Sequence, residues 1–317
     1  MKTIRNLFYL FILTTNYSIA QTVEKYYDYK WKECKPNEAR FYSVVTKTDS
    51  GYIKKDFFIH ENSLQMTGKY EDIDCKVPNG YFYWFYPNKK IKTHGQYIHD
   101  KKDGLWLSFH ENQTIKDSTV FENGNMKGAS LSWYPNGYTQ DSTRIFDDSS
   151  SVRIGWFDNG NPSYAGYFNT FKRETGVWKY FHSNGNLSCK IRFDDGKLIK
   201  KEYFDENGKL QSDTTDKDRI ASYPGGESAW LKHLSKTCYF PVQFEIVNAD
   251  KAVVVVEFSI DDDGKIGDIM VSTPFYPAFD SIAVNAIKNS KRWNPGIDHN
   301  REIKYHYIQA IVFRYKD

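Results

Sequence analysis

An asparagine returns through the middle of this chain at a nearly fixed interval. Asn88, Asn112, Asn136, Asn159, Asn184 and Asn207 are spaced 24, 24, 23, 25 and 23 residues apart, and the last four are each followed by Gly. A period of this size marks a repeat architecture, in which one unit cannot bury its apolar face without its neighbours. A ring-bearing run precedes each Asn: Trp84-Phe85-Tyr86, Phe109, Trp133-Tyr134, Trp156-Phe157, Tyr180-Phe181 and Tyr203-Phe204. Aliphatic residues follow three positions after it in four units (Ile91, Ile115, Leu187, Leu210), and Tyr97, Phe121, Ile145, Phe168 and Phe193 stand nine after it. Asn-Gly supplies the positive backbone angles of a tight reversal, so each unit reads as a β-hairpin. Short turns pair sequence neighbours, and six such hairpins predict an elongated, twisted antiparallel sheet. Helix fits poorly, because 17% of the residues are aromatic and the segments are cut repeatedly by turn residues. At Asn161-Pro162 the return strand is expected to bulge or to lie at an edge.

The fold class expected is mainly β, a serial hairpin array followed by a small α+β unit. Residues 1–20 read as a secretory signal: Lys2 and Arg5, an apolar stretch from Leu7 to Leu13, and Ser18-Ile19-Ala20 as a small-residue cleavage site. The apolar stretch is far short of the roughly 20 residues a spanning helix needs, and no second candidate follows. The expected location is therefore the periplasm or cell envelope. Without Lys2 and Arg5 the 43 basic residues become 41 against 40 acidic ones, a balance that argues against nucleic acid or a polybasic membrane contact.

Residues 21–79 carry apolar alternation in Phe41 to Thr46 and Tyr52 to Ile59 around Asp49-Ser50-Gly51, a hairpin leading into the array and a candidate cap for its first edge. The array itself is placed at 80–212, a polar linker at 213–220, and a second domain at 221–317. Export permits disulfides among Cys34, Cys75, Cys189 and Cys238, with Cys34 to Cys75 the favoured pairing because both lie close in sequence and outside the array.

The pattern Gly-x-Trp-x-x-(Phe/Tyr)-x-x-Asn-Gly is clearest in Gly104 to Gln113 and Gly176 to Gly185. It resembles the MORN-type repeats of bacterial exported proteins over about residues 51–212. The resemblance implies a scaffold or binding surface and brings no catalytic residue.

From Ala221 the texture changes. Trp230, Leu231 and Leu234 stand at helical spacing within Glu227 to Lys236; Ala252 to Ile260 is a β-branched strand; Asp261-Asp262-Asp263-Gly264 turns it into a second strand, Ile266 to Ser272. A helix follows over about Phe279 to Lys288, with Ile282, Ala283, Ala286 and Ile287 on one side, and Ile303 to Tyr315 is a final strand. Tyr223-Pro224-Gly225-Gly226, Phe240-Pro241, Gly264-Lys265-Ile266, Ala278-Phe279-Asp280 and Trp293-Asn294-Pro295-Gly296 resemble, in order and spacing, the C-terminal domain of the TonB family. The resemblance implies a periplasmic domain that binds an envelope partner, such as an outer-membrane transporter, whose short N-terminal peptide adds as a strand beside the last strand. Here that strand carries Ile303, Tyr305, Tyr307, Gln309, Ile311 and Phe313. The membrane helix and Pro-rich spacer of TonB proteins have no counterpart, since the leader is cleavable and the ten prolines are scattered.

Chemistry-bearing motifs are scarce. Asp261 to Gly264 lacks the acid and the Gly that a calcium loop needs at Ser272 and Ile266. The eight histidines form no metal pattern; His110 and His182 share one slot of the repeat and read as structural. No phosphate loop, nucleophile elbow or paired-acid signature occurs, so no enzyme, cofactor or metal is expected. A second reading is a glycan- or peptidoglycan-binding scaffold, with Trp106, Trp133 and Trp178 stacking on sugars. The plainer account of those rings is cross-strand packing.

Overall fold

The computed structural model describes residues 2–4, 22–246 and 251–314. Apart from 2–4, the expected leader lies outside the described residues; β1 (Lys2–Ile4) pairs in parallel with β17 (Phe244–Ile246). Fifteen strands, from β2 (Thr22–Tyr27) to β16 (Lys197–Tyr203), form one sheet in unbroken chain order, every neighbour antiparallel. Residues 22–70 are thus not a separate cap: Phe41–Thr48 and Gly51–Phe58 are strands of the same sheet, and β2 is its edge.

The two ends of the strands do not turn alike throughout. Along one border, His99-Asp100, Asn123-Gly124 and Asp195-Gly196 have positive φ at both positions, the two-residue reversal that the sheet's twist favours, while the loops at Ser149 and Lys172 close over three residues. The repeat asparagines lie along the other border and do something else. There the positive angle falls only on the following residue: Lys89, Gln113, Gly137, Gly160, Gly185 and Gly208. The turn closes over three residues, with Tyr86 N–H to Lys90 O at 2.8 Å and Lys89 N–H to Tyr86 O at 2.9 Å. The register slips beside each such loop, as between Trp84 and Phe85 and between Ser108 and Phe109. The slip opposite Pro162 belongs to this general pattern, in an interior strand.

The asparagine explains the period. Its Oδ1 accepts the N–H two residues on, at 3.1 Å for Asn88 to Lys90 and 3.0 Å for Asn112 to Thr114. Its Nδ2 then donates to the next turn of the same border: Asn112 to Pro135 O at 3.0 Å, Asn136 to Asp158 O at 2.8 Å, Asn159 to Ser183 O at 2.9 Å and Asn184 to Glu206 O at 2.9 Å. In four units the ring two residues before the Asn makes a second rung. Tyr86 Oη donates to Phe109 O (2.8 Å) and Tyr134 Oη to Trp156 O (2.9 Å), while His110 and His182 place Nε2 on Trp133 O (2.8 Å) and Phe204 O (3.0 Å). These two histidines are structural by position.

One sheet face is filled by rings lying over glycines of the adjacent strand. Phe82 covers Gly68, Trp106 covers Gly95 and Trp178 covers Gly166, so that a methyl on any of these glycines would overlap the ring. The Trp106 and Trp178 indoles donate to Gln96 O and Tyr167 O, both at 3.1 Å. Edge-to-face contacts with Tyr97 and Phe168 at 4.9 and 5.0 Å complete the packing.

Beyond the sheet come α1 (Gly226–Thr237), β17, β18 (Lys251–Ile260), β19 (Ile266–Thr273), α2 (Pro277–Lys288), the hairpin β20 (Gly296–Asp298) and β21 (Arg301–Ile303), and β22 (Tyr305–Arg314). The order β19-β18-β22 is antiparallel throughout, and Trp230, Leu234, Phe279, Ala283 and Ile287 pack on one face against Val254, Val256, Phe258, Ile311 and Phe313. Leu231 points to solvent instead. Gly264 is held in the left-handed region with Trp293 O where a Cβ would stand, which ties the Asp-rich turn to the end of the second helix. The short hairpin β20–β21 pairs with linker residue Arg219 through Ile297, a contact the sequence did not announce.

Replacing Gly166 with Ala should destabilise the sheet by about 1–3 kcal/mol, since the added methyl meets the Trp178 ring without any backbone strain to confuse the result. Chemical unfolding monitored by tryptophan fluorescence measures it; an unchanged midpoint would show that the ring can move aside.

Candidate functional site

The last strand is an edge. β22 pairs with β18 over its full length, from Lys251 opposite Arg314 to Ile260 opposite Tyr305, and among the described residues no strand pairs on its other side. Its side chains alternate as the pleat requires. Tyr305, Tyr307, Ile311 and Phe313 pack into the core, and Gln309 Oε1 accepts the Trp230 indole N–H at 2.7 Å. The opposite face carries Ile308, 66% exposed, and Val312, 41% exposed. Four of the six residues expected to line a docking strand therefore anchor it inward, Gln309 with them. Ile303 belongs to β21, because a break at Lys304 separates the hairpin from β22. What the strand offers outward is its backbone ladder with Ile308 and Val312 beside it.

The repeat sheet touches this domain at two places along its asparagine border. The first centres on Arg301, in β21. Its guanidinium is buried and donates to Phe181 O at 2.9 Å, to Ser163 Oγ at 3.0 Å and to Ser163 O, and it pairs with Asp298 at 3.4 Å. Phe181 O is the carbonyl that the ring rung should satisfy, but the ring in that unit is Phe157, which has no donor. Arg301 supplies the missing hydrogen bond and lies 5.5 Å from the Phe157 ring centre. Beside it His299 stacks on Tyr180 at 3.6 Å, and Asn300 Nδ2 donates to Phe204 O at 3.0 Å. The sequence carried a signal for this joint, namely Phe157 in a slot held by Tyr or His in four of the other units and by Asp205 in the last.

Asp218, Asp298 and His299 place ligand-type atoms within 4.8 Å of one another. Asp218 accepts the His299 N–H at 2.8 Å, and Asp298 is shared between His299 Nδ1 at 2.8 Å and Arg301. The guanidinium supplies positive charge to Asp298, and Asp218 accepts the His299 backbone N–H, so the group serves the joint.

The second contact joins Arg40, His60 and Glu61 of the sheet to Phe275 and Asp280 at the start of α2. Arg40 is buried with its guanidinium carbon 4.4 Å from the Phe275 ring centre, and His60 meets the same ring edge-on at 4.8 Å. Asp280 accepts the Phe275 N–H at 2.9 Å. Burial pushes the Glu61 carboxyl up to about 7 and that of Asp280 up to about 6, and it pushes His60 down to about 4 with the Arg40 charge adding to the effect. Arg40 itself is lowered to about 10 by burial.

The remaining expected residues are placed as follows. Cys34 and Cys75 are free and half-buried, so the favoured pairing is not formed; Cys189 and Cys238 are free as well. Trp106 and Trp178 are 6% and 4% exposed, with their indole N–H groups engaged, which leaves little ring surface for a sugar. Trp133 is half-buried beside a register slip.

Residues 247–315 match the family profile of the Gram-negative bacterial TonB protein C-terminal. Residues 78–99 and 174–195 match that of the MORN repeat variant. Both matches fall where the sequence resemblances lie. The TonB match starts just before β18 and includes β22; the two repeat matches each span one asparagine turn. The TonB C-terminal is a cell-envelope domain, and the match points to an envelope-associated, TonB-like protein. Among the described residues no helix is long and apolar enough to cross a membrane, which says nothing of strands. No curated protein matches the chain. Among solved structures, the accessory secretory protein 1, 2 and 3 structure from Streptococcus pneumoniae shares 11% identity over 43% of this chain, with a TM-score of 0.15. This chain spans 22% of that one, and at such a score the likeness carries no argument.

Arg301→Ala should cost about 3 kcal/mol, because Phe181 O, Ser163 Oγ and Asp298 lose a buried charged donor together. Unfolding followed by tryptophan fluorescence and by proteolysis of the 213–220 segment reads the loss; an unaltered midpoint with unaltered cleavage counts against the joint.

The second contact predicts a pH dependence with a definite sign. The folded protein keeps protons on Glu61 and Asp280 that the unfolded chain releases above about pH 4. Their contribution is full below that pH and is lost as pH rises toward about 7 and about 6 respectively. His60 works oppositely, its contribution being present above its ordinary range and lost toward pH 4. Asp280→Asn removes one of the two falling contributions. The stability of the wild type relative to this variant should therefore decline between pH 4 and 7 in urea titrations, and a constant difference across that range would refute the assignment.

Proposed function

We propose that this protein is an exported envelope interaction protein that binds its partner by strand addition at β22, with no catalytic activity of its own. The observation that carries the reading is the unpaired side of β22 in a domain that matches the TonB C-terminal. An open sheet edge offers a row of N–H and C=O groups to an extended peptide, and it draws affinity from the backbone with modest demands on side chains. The core-facing half of the strand is pinned by Trp230 and α2, so the ladder is presented on a stiff support. Ile308 and Val312 give a guest strand apolar contacts on the outer face. The partner class we infer is an outer-membrane transporter with an extended N-terminal peptide, which places the protein in the periplasm and associates it with transport across the outer membrane. The repeat sheet acts as the scaffold that holds the domain through Arg301 and Arg40.

Strand addition has a signature that side-chain docking lacks. Synthetic peptides from transporter N-termini, titrated into the full chain, should slow amide hydrogen exchange at every second residue between Tyr305 and Arg314, the residues whose N–H groups face the open side. Uniform exchange along β22 at saturating peptide, or protection confined to another region, would overturn the reading. Proline is a poor probe at Gln309 or Ile311, since both anchor the strand inward and their replacement disturbs the core.

A further inference from the structure

The ring-bearing face of the repeat sheet is interrupted in its middle, and the interruption is paired. Six residues before the successive turn asparagines stand Phe82, Trp106, Ser130, Arg153, Trp178 and Lys201; seven after them stand Gly95, Thr119, Thr143, Gly166 and Ile191. Where Trp covers Gly, as at Gly95 and Trp106 or Gly166 and Trp178, the partners fit as bulk over vacancy. In the central unit both partners change together. Ser130 replaces the ring, Thr119 replaces the glycine, and their hydroxyls bond at 2.6 Å.

The row beside it changes too. Trp84 and Tyr180 flank a run in which Ser108 lies opposite Asp117, Asp117 opposite Ser132, and Ser132 opposite Asp141. Thr93 Oγ1 donates to Ser108 at 3.2 Å, Thr143 Oγ1 to Asp141 at 3.2 Å, and Arg153 Nε to Asp141 at 2.9 Å, with the Tyr164 hydroxyl donating to the same carboxylate. Asp117 and Ser132, at the centre, make no side-chain hydrogen bond or ion pair among the described residues. The side chains from Trp84 to Tyr164 along this run are half-buried except Arg153, which is exposed, while Tyr180 at the far end is buried, so water reaches the strip between them.

We propose that this strip binds a neutral glycan chain. Its hydroxyls, carboxylates and guanidinium alternate donor and acceptor across the strands, as a polyol requires, and Trp84 and Tyr164 give partly exposed rings at the two ends, with Phe121 beside the centre in the strand of Asp117, for the sugar C–H faces. Asp117 and Asp141 are balanced by the Arg153 guanidinium and by the Lys102 ammonium, 5.0 Å from the Phe121 ring centre, so the strip has no net charge to draw an ionic ligand. From the strand of Trp84 to that of Tyr164 there are seven strand spacings, about 34 Å, which suits an extended chain of several sugars. The strip replaces the Trp106 and Trp178 surfaces as the place where the array meets sugar, and the proposal does not rest on the strand-addition reading.

The test uses the full chain with two probes, a soluble tetramer of β-1,4-linked N-acetylglucosamine and isolated peptidoglycan sacculi. Binding of the tetramer is read by calorimetry and by intrinsic tryptophan fluorescence. Asp117→Asn should weaken it about tenfold, as expected for one lost charge-assisted hydrogen bond. The double variant Thr119→Gly with Ser130→Trp restores the repeat's own ring-over-glycine pair; it should melt no lower than the wild type and bind no tetramer. Binding to sacculi alone supports the strip when the double variant abolishes it and opposes it when the double variant retains it. Failure of the wild type to bind either probe, or equal binding by both variants, overturns the proposal, while peptide protection at β22 remains a separate readout.

Discussion

Everything in the long sheet depends on an amide side chain that bonds twice in opposite directions. The turn asparagines from Asn88 to Asn184 close their own loops with Oδ1 and reach the next turn with Nδ2, so the loops along one border are linked into a ladder; at the last turn Asp205 closes the loop instead. A single meander of this width would otherwise have only backbone pairing and one ring-bearing face to hold it, and wide sheets without such aids twist apart or curl. The constraint also sets the period. A unit must contain two strands and two turns of fixed size to bring the next amide within about 3 Å of its acceptor, and that is why the spacing varies by only one residue either way.

Much of this was legible from the residues. The interval, the ring runs and the glycines gave the meander and its direction, because hydrophobic alternation and turn chemistry are local properties. Two features were not local. The Asn-Gly pairs suggested two-residue reversals, but the asparagine has a tertiary partner one unit away, and the loop adopts the three-residue form that leaves its amide free to reach it. The expected Cys34 to Cys75 bridge rested on closeness in sequence and on both lying outside the array, and neither brings two half-buried thiols together in a sheet whose strands are fixed by other bonds. In the second domain the order of elements and the last strand were readable, yet β20 and β21 were too short to show a period, and Ile303 was placed one element late.

The repeat rule makes its own exceptions informative. Where all units obey, a residue is explained by packing; where one unit departs and its neighbour departs with it, something beyond packing selects the pair. The Thr119 and Ser130 exchange is of this kind, since a sheet gains less from two hydroxyls than from a ring over a glycine. Phe157 is another exception. It keeps the bulk of the Tyr and His found in its slot and loses only the donor, so the sheet remains intact while one carbonyl is left to be satisfied from outside.

That unpaired carbonyl decides where the second domain can sit. Phe181 O lies in a half-buried position and costs desolvation if unanswered, whereas the same carbonyl in other units is already used by its own sheet. A guanidinium suits the gap because it can serve Phe181 O, Ser163 and Asp298 at once, which an ammonium's compact charge does less well. Arg301 stands only four residues before β22, so the bond that docks the domain also sets the start of the strand whose other side is unpaired. The docking bonds come from the hairpin and from the Phe275 and Asp280 end of the domain, not from the backbone of β22. Joint and open ladder therefore use separate chemical groups, and a guest strand need not break the joint to bind.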